Sequence, residues 1–303
     1  MKKIVFSLFV ICLIAYSFFF PEITVNAAQN GLETWFQQIL PTLLPFTILS
    51  AILVKSDFLK SFHGNANLLA CLFTFACGFV FGFPVGAKLS SDFYKQGLLS
   101  QKQATILSIA TNNFSPMYVC GFGLPLLFAS KEYNIATYWI LYFTPLLLAT
   151  CYFILTFRCS DETAEVTSFH LNMNIIDCGI LSSFEILIKI CGYIVLFSVT
   201  SQILISILAS FATHPPLILT ILIGNLEITN GISLLSACII DAPLKYIFVI
   251  QLLSLGGLSG IAQTCSILSD AGLSIPKYII GKALLSLLLT LLSVIYVFFS
   301  HLL

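Results

Sequence analysis

ANLLACLFTFACGFVFGFPVGAK, residues 66–88, runs almost wholly apolar to Phe81 and then breaks at Gly82-Phe83-Pro84-Val85-Gly86, just before a single charge, Lys88. PLILTILIGNLEITNGISLLS, residues 216–236, does the same at Gly224-Asn225-Leu226-Glu227-Ile228-Thr229-Asn230-Gly231. Helix breakers inside an apolar run leave backbone N–H and C=O groups unpaired. At membrane depth such backbone survives only where protein or a water-filled cavity satisfies it. These two segments are therefore the first place to look for a substrate site.

The rest of the chain explains why membrane depth is the right frame. It is 58% hydrophobic and 9% charged, with 28 Phe and a mean hydropathy of +1.02, outside the range of soluble domains. Apolar segments recur at about 4–20, 35–54, 66–86, 104–128, 135–157, 184–208, 216–236, 246–268 and 278–300. The fold class expected is an all-α polytopic membrane protein. The formal net charge is zero, which gives no support to nucleic acid as a partner. The ten Cys form no Cys-x-x-Cys pair and read as small core hydrophobes. His63, His170, His214 and His301 are scattered, and no catalytic or metal-ligand spacing is visible, so the chain does not read as an enzyme.

Met1-Lys2-Lys3 followed by Ile4–Phe20 reads as a signal-anchor span, or as a signal cleaved near Val25-Asn26-Ala27. If all nine segments crossed, Lys88, Lys95 and Lys102 would face outside, against the cytoplasmic bias of Lys and Arg. Making 66–86 and 216–236 re-entrant hairpins places eleven basic residues, Lys282 among them, inside or at the inner boundary and leaves only Lys131 and Lys245 outside. That predicts about seven full spans plus two re-entrant hairpins and interrupted helices. It also exposes an inverted repeat, in which an offset of 144 sets Phe83 opposite Glu227 and Asn112-Asn113-Phe114-Ser115-Pro116 opposite Gly256-Gly257-Leu258-Ser259-Gly260. The expected organisation is an N-terminal segment, 1–30, a first repeat, 31–157, a polar cytoplasmic linker, 158–183, and a second repeat, 184–303. Ser90–Lys95 reads as a short interfacial helix, and Ser100 as the cap of the next span.

Within this frame Lys88, after a Gly-Pro-Gly break (Gly82, Pro84, Gly86), suits an anion, although it could equally snorkel to the headgroups. Glu227 needs a partner or a proton, because a carboxylate at that depth costs on the order of 3 kcal/mol. It could hold a coupling cation or proton, touch substrate, pair with Lys88, or lock the hairpins together. Asn112, Asn113, Ser115, Asn225, Asn230, Gly257, Ser259 and Gln263 lie beside the breaks, as substrate ligands or as helix–helix glue.

Pro41-Thr42-Leu43-Leu44-Pro45-Phe46, Gly82–Lys88, Asn112–Pro116, Leu226–Gly231 and Gly256–Gln263, taken in order, resemble the YlbJ-type sporulation integral membrane proteins of the nucleoside-recognition, or gate, domain group. That group is similar to concentrative nucleoside transporters, whose inverted repeats carry two hairpins and two interrupted helices around the substrate. Asn225, Glu227 and Ile261-Ala262-Gln263 sit where those transporters have an Asn-Glu pair and a Gly-Ile-Gln segment. Where they have Gln-Thr-Glu-Ala-Pro, this chain has Gly82–Gly86, without the carboxylate and with Lys88 close by. The resemblance implies movement of a small organic anion such as dipicolinic acid across the bacterial cell membrane, at the outer forespore membrane in spore formation. Na⁺ or H⁺ would be the coupling ion, no other cofactor or metal is expected, and a homo-oligomer would be in keeping with similar transporters. The rival readings are a nucleoside or nucleobase transporter and a membrane scaffold that transports nothing.

Overall fold

The computed structural model describes residues 2–61, 66–128, 134–156, 171–209 and 217–300, and every regular element in them is helical. The first helices are α1 (Lys2–Phe19), α2 (Pro21–Thr34) and α3 (Leu40–Lys55). Among the described residues four helices are long and apolar enough to cross a bilayer, at Ile135–Ile154, Met173–Ile207, Ala242–Asp270 and Ile275–Ser300. The pair Ser7–Phe19 and Pro21–Gln37 also qualifies but bends by 106°. The bend falls at Pro21, whose missing N–H and fixed φ suit the first position of a new helix. The chain after the first apolar segment is thus not a loop, because α2 lies along α10 (Met173–Ala209).

The two segments expected to form hairpins are each a pair of packed helices. In the first, α4 (Ala66–Phe81) turns at Gly82–Pro84 into α5 (Val85–Lys95), the Phe83-Pro84 peptide being cis. In the second, α11 (Leu217–Leu226) turns at Glu227 into α12 (Ile228–Ala237). The interrupted helices are α6 (Gln101–Thr111) followed by α7 (Pro116–Tyr118), and α13 (Ala242–Leu255) followed by α14 (Gly257–Asp270). Each is followed by a helix reaching the end of its half, α8 (Asn134–Tyr138) running into α9 (Thr144–Thr156), and α15 (Ile275–Ser300). Helix, hairpin, broken helix, helix is therefore the element order in both halves.

Three expectations are corrected here. The first hairpin extends to Lys95, and α5 is a buried arm rather than an interfacial helix: Val85, Ala87, Leu89, Ser90 and Phe93 are all buried. Gly78 and Gly86 flank Thr111 of α6 so closely that a Cβ on either would run into it. Small residues bring both arms against α6, and two of the polar side chains that suggested an interface, Ser90 and Ser91, are themselves buried. Second, the segment before 184 is helical from Met173, so linker residues 173–183 belong to α10. The rest of the linker, apart from residues 171 and 172, lies outside the described residues, as do Lys131, Arg158 and the four histidines. Third, Lys282 is no boundary charge. It is 1% exposed in the interior of the protein.

Ser100 does cap α6: its hydroxyl accepts from Gln103 N at 3.3 Å while the Gln103 side chain accepts from Ser100 N at 2.8 Å, a reciprocal capping box. Three π turns, Trp35–Ile39, Val119–Gly123 and Trp139–Phe143, each end two residues before a proline, Pro41, Pro125 and Pro145. Proline cannot donate its N–H, and its ring excludes the carbonyl four residues back, so the preceding turn widens to i→i+5 bonding.

Candidate functional site

The four breaks meet around one cavity of about 370 Å³. Its wall takes Phe83 and Pro84 from the first hairpin tip, Glu227 and Thr229 from the second, Phe114, Ser115 and Tyr118 from the first broken helix, and Gly256, Ser259, Gly260 and Gln263 from the second. α10 closes one side with Ile190 and Ile194, and the α2–α3 segment adds Gln37 and Thr42.

Among the described residues Glu227 is the only Asp, Glu, Lys or Arg in the wall. It is 6% exposed and caps α12, Oε1 accepting from Thr229 N at 3.0 Å and Oε2 from Asn230 N at 2.8 Å. Two charge-assisted bonds at a helix N-terminus contribute about 1–2 kcal/mol and hold the carboxylate at the tip. On its far side Glu227 borders a smaller chamber of about 40 Å³, with Asn30, Ser198, Gln202 and Asn230. Across the main cavity α14 begins at Gly256 with no side-chain cap. Gly256, at its start, and Ser259 and Gly260 of its first turn line the cavity, and a helix start of this kind favours negative charge. About two turns on from that start, Gln263 Nε2 donates to Ser259 Oγ at 3.0 Å, and its Oε1 is buried without a partner among the described residues. Phe114 stacks on Tyr118 with centroids 4.8 Å apart, giving the cavity a flat aromatic wall.

The first break is a hub of backbone hydrogen bonds. Asn112 O accepts from Lys282 Nζ at 2.7 Å, Asn113 O from Phe83 N at 2.6 Å, and Phe114 O from Tyr142 Oη at 2.8 Å. Three successive carbonyls that a continuous helix would have satisfied are thus met by α15, the hairpin tip and the π turn before α9. Asn113 Oδ1 takes a second bond from Lys282 at 2.8 Å, while its Nδ2 donates to Ala110 O and Leu141 O. Asn112 Nδ2 donates to Thr264 Oγ1 and Tyr278 Oη. Gly82, at φ +69°, packs on Asn113 O and Ser115 N with no room for a Cβ.

Of the residues singled out in the sequence, Pro84, Ser115, Glu227, Ser259 and Gln263 line the cavity, and Asn230 lines the chamber behind Glu227. Gly82, Asn112 and Asn113 build the hub. Gly86 seats Thr111. Gly257, also left-handed at φ +66°, packs against the last carbonyls of α11. Asn225 exchanges hydrogen bonds with Gln251, the shorter at 2.9 Å, and so ties α11 to α13. Lys88 is not in the cavity wall. Its ammonium is 2.6 Å from Asp92 on the next turn of α5, and no pairing with Glu227 exists. A lysine already held by a carboxylate has little attraction left for an anion. Lys88→Ala is therefore expected to change affinity for a solute in the cavity by less than about two-fold, and stability by about 1 kcal/mol or less, read by calorimetry and thermal melting.

Sequence reasoning missed Lys282 and the aromatic wall. Lys282 had one visible signal: it stands five residues beyond Lys277 inside a 26-residue apolar helix, deeper than a boundary residue needs to be.

The chain is 24% identical, over 319 aligned residues, to the sporulation integral membrane protein YlbJ of Bacillus subtilis (strain 168), and the alignment covers 87% of this chain and 75% of that protein. This supports the YlbJ-type resemblance and, with the long apolar helices, places the chain among integral membrane proteins. No protein-family model matches, and no solved structure matches.

Proposed function

We propose that this protein is a secondary transporter acting in sporulation, and that it moves a small aromatic acid such as dipicolinic acid by alternating access between two inverted repeats, 31–157 and 184–303. The observation that carries the reading is the convergence of two hairpin tips and two helix breaks on one cavity of about 370 Å³, within the size range of small-molecule sites. The ring of the substrate lies on Phe114 and Tyr118. Its carboxylate is received by the open N-terminus of α14, with Ser259 and Gln263 beside it. Glu227 faces the same space, and two like charges there repel, so acid and proton travel together and Glu227 carries the proton.

One feature favours a second reading. Among the described residues no Lys or Arg lines the cavity, which suits a neutral solute such as a nucleoside whose hydroxyls meet Glu227. Uptake into proteoliposomes separates the two. Saturable dipicolinate uptake, raised about ten-fold by an inward proton gradient of one unit, is expected for the first. Saturable uridine uptake without dipicolinate uptake would replace it with the second. Uptake of neither, from protein that is folded, would overturn transport of both.

A further inference from the structure

We infer that the Lys282 ammonium is a tethered cation occupying the ion site of the first helix break, so that this break needs no dissolved metal cation. Its consequence for coupling rests on the transport reading; its structural content does not. Lys282 is buried, and no carboxylate approaches it among the described residues. The groups that face it are all neutral. Asn112 O and Asn113 Oδ1 come from the break itself, and Tyr278 on α15 and Thr264 on α14 are reached through Asn112.

The place is chemically specific. α6 ends at Thr111, so Asn112 O lies at the negative end of a half-helix in the apolar interior. Helix ends and unwound carbonyls of this kind are where membrane transporters hold coupling cations. Here the same oxygens converge on an ammonium delivered by α15. The site also controls the cavity: Asn113 O, next to the Lys282 ligands, holds the first hairpin tip through Phe83 N at 2.6 Å. Lys282 is thus a positioning residue for Phe83 and Phe114, which line the cavity while it does not.

Thermal melting of the purified full chain, in sodium, lithium, potassium, methylammonium or choline chloride at one ionic strength, tests this without any transported solute. The wild-type midpoint is expected to be the same in all five. Lys282→Ser removes the ammonium and opens room in its place. It should melt lower in choline and recover by about 5 °C or more in at least one of the small cations. Lys282→Met fills the room without charge, and should melt lower in every salt with no recovery. A wild-type midpoint that rises with sodium, a Lys282→Met variant as stable as wild type, or a Lys282→Ser variant indifferent to all four small cations would each overturn the inference. If Lys282→Ser cannot be purified, the wild-type and Lys282→Met arms still decide it. Failure of uptake would remove the transport reading and leave these melting results unchanged.

Discussion

Glu227→Gln is expected to leave the protein folded while lowering proton-driven uptake on the order of 100-fold, equivalent to about 2.7 kcal/mol of lost coupling. The amide keeps one oxygen that can accept from Thr229 N or Asn230 N, so most of the cap on α12 survives. The stability cost should stay near 1 kcal/mol. What the variant loses is the one carboxylate that the described residues put in the cavity wall. Thermal melting and proteoliposome uptake on the same preparation separate the two effects. A variant that melts like wild type and still concentrates solute against a proton gradient would show that Glu227 is only a cap.

Gly231→Ala is expected to prevent the second hairpin from closing, at a cost on the order of 3 kcal/mol or more, seen as a lower melting midpoint and poor yield of folded protein. At this point α11 and α12 cross with backbone on backbone, and a Cβ on Gly231 would overlap the Cα of Gly224. Neither atom belongs to a flexible side chain, so the clash can be relieved only by moving a helix. Gly192→Ala is the control, because a Cβ there meets nothing within 4 Å. It should be neutral or stabilising by up to about 1 kcal/mol.

The parts of this molecule that were legible in the sequence are those where residue type alone forces the backbone. Gly82, Pro84, Gly224 and Gly231 cannot sit quietly in a membrane helix, and the structure turns or crosses its chain at each. The 144-residue offset that pairs Phe83 with Glu227 also pairs the two broken helices, whose interruptions begin at Asn112 and Gly256. Glu227 and Gln263 stood out because burying them requires a reason. What escaped notice depends on which neighbour a side chain meets. Lys88 and Lys282 are both lysines that follow a glycine-containing apolar run in the sequence. One meets Asp92 one turn away, and the other meets a helix end contributed from 170 residues earlier. The burial of α5 was hidden for a similar reason, since its small residues reveal a contact face only once Thr111 is known to sit between Gly78 and Gly86.

The π turn at Trp35–Ile39 sets the phase of everything around it. α2 buries Ala27 and Gly31, and α3 buries Leu43, Thr47 and Val54, and both helices lie along α10. At about 3.6 residues per turn, the twelve steps from Gly31 to Leu43 would overshoot three turns by roughly a third of a rotation and aim α3 away from α10. One residue absorbed by the widened turn brings the count back to about three whole turns. Loss of a single codon within 35–39 would therefore leave eleven steps, about three whole turns of ordinary α-helix, and keep the two buried stripes aligned, whereas straightening the turn with all its residues retained would rotate them apart by about 100°.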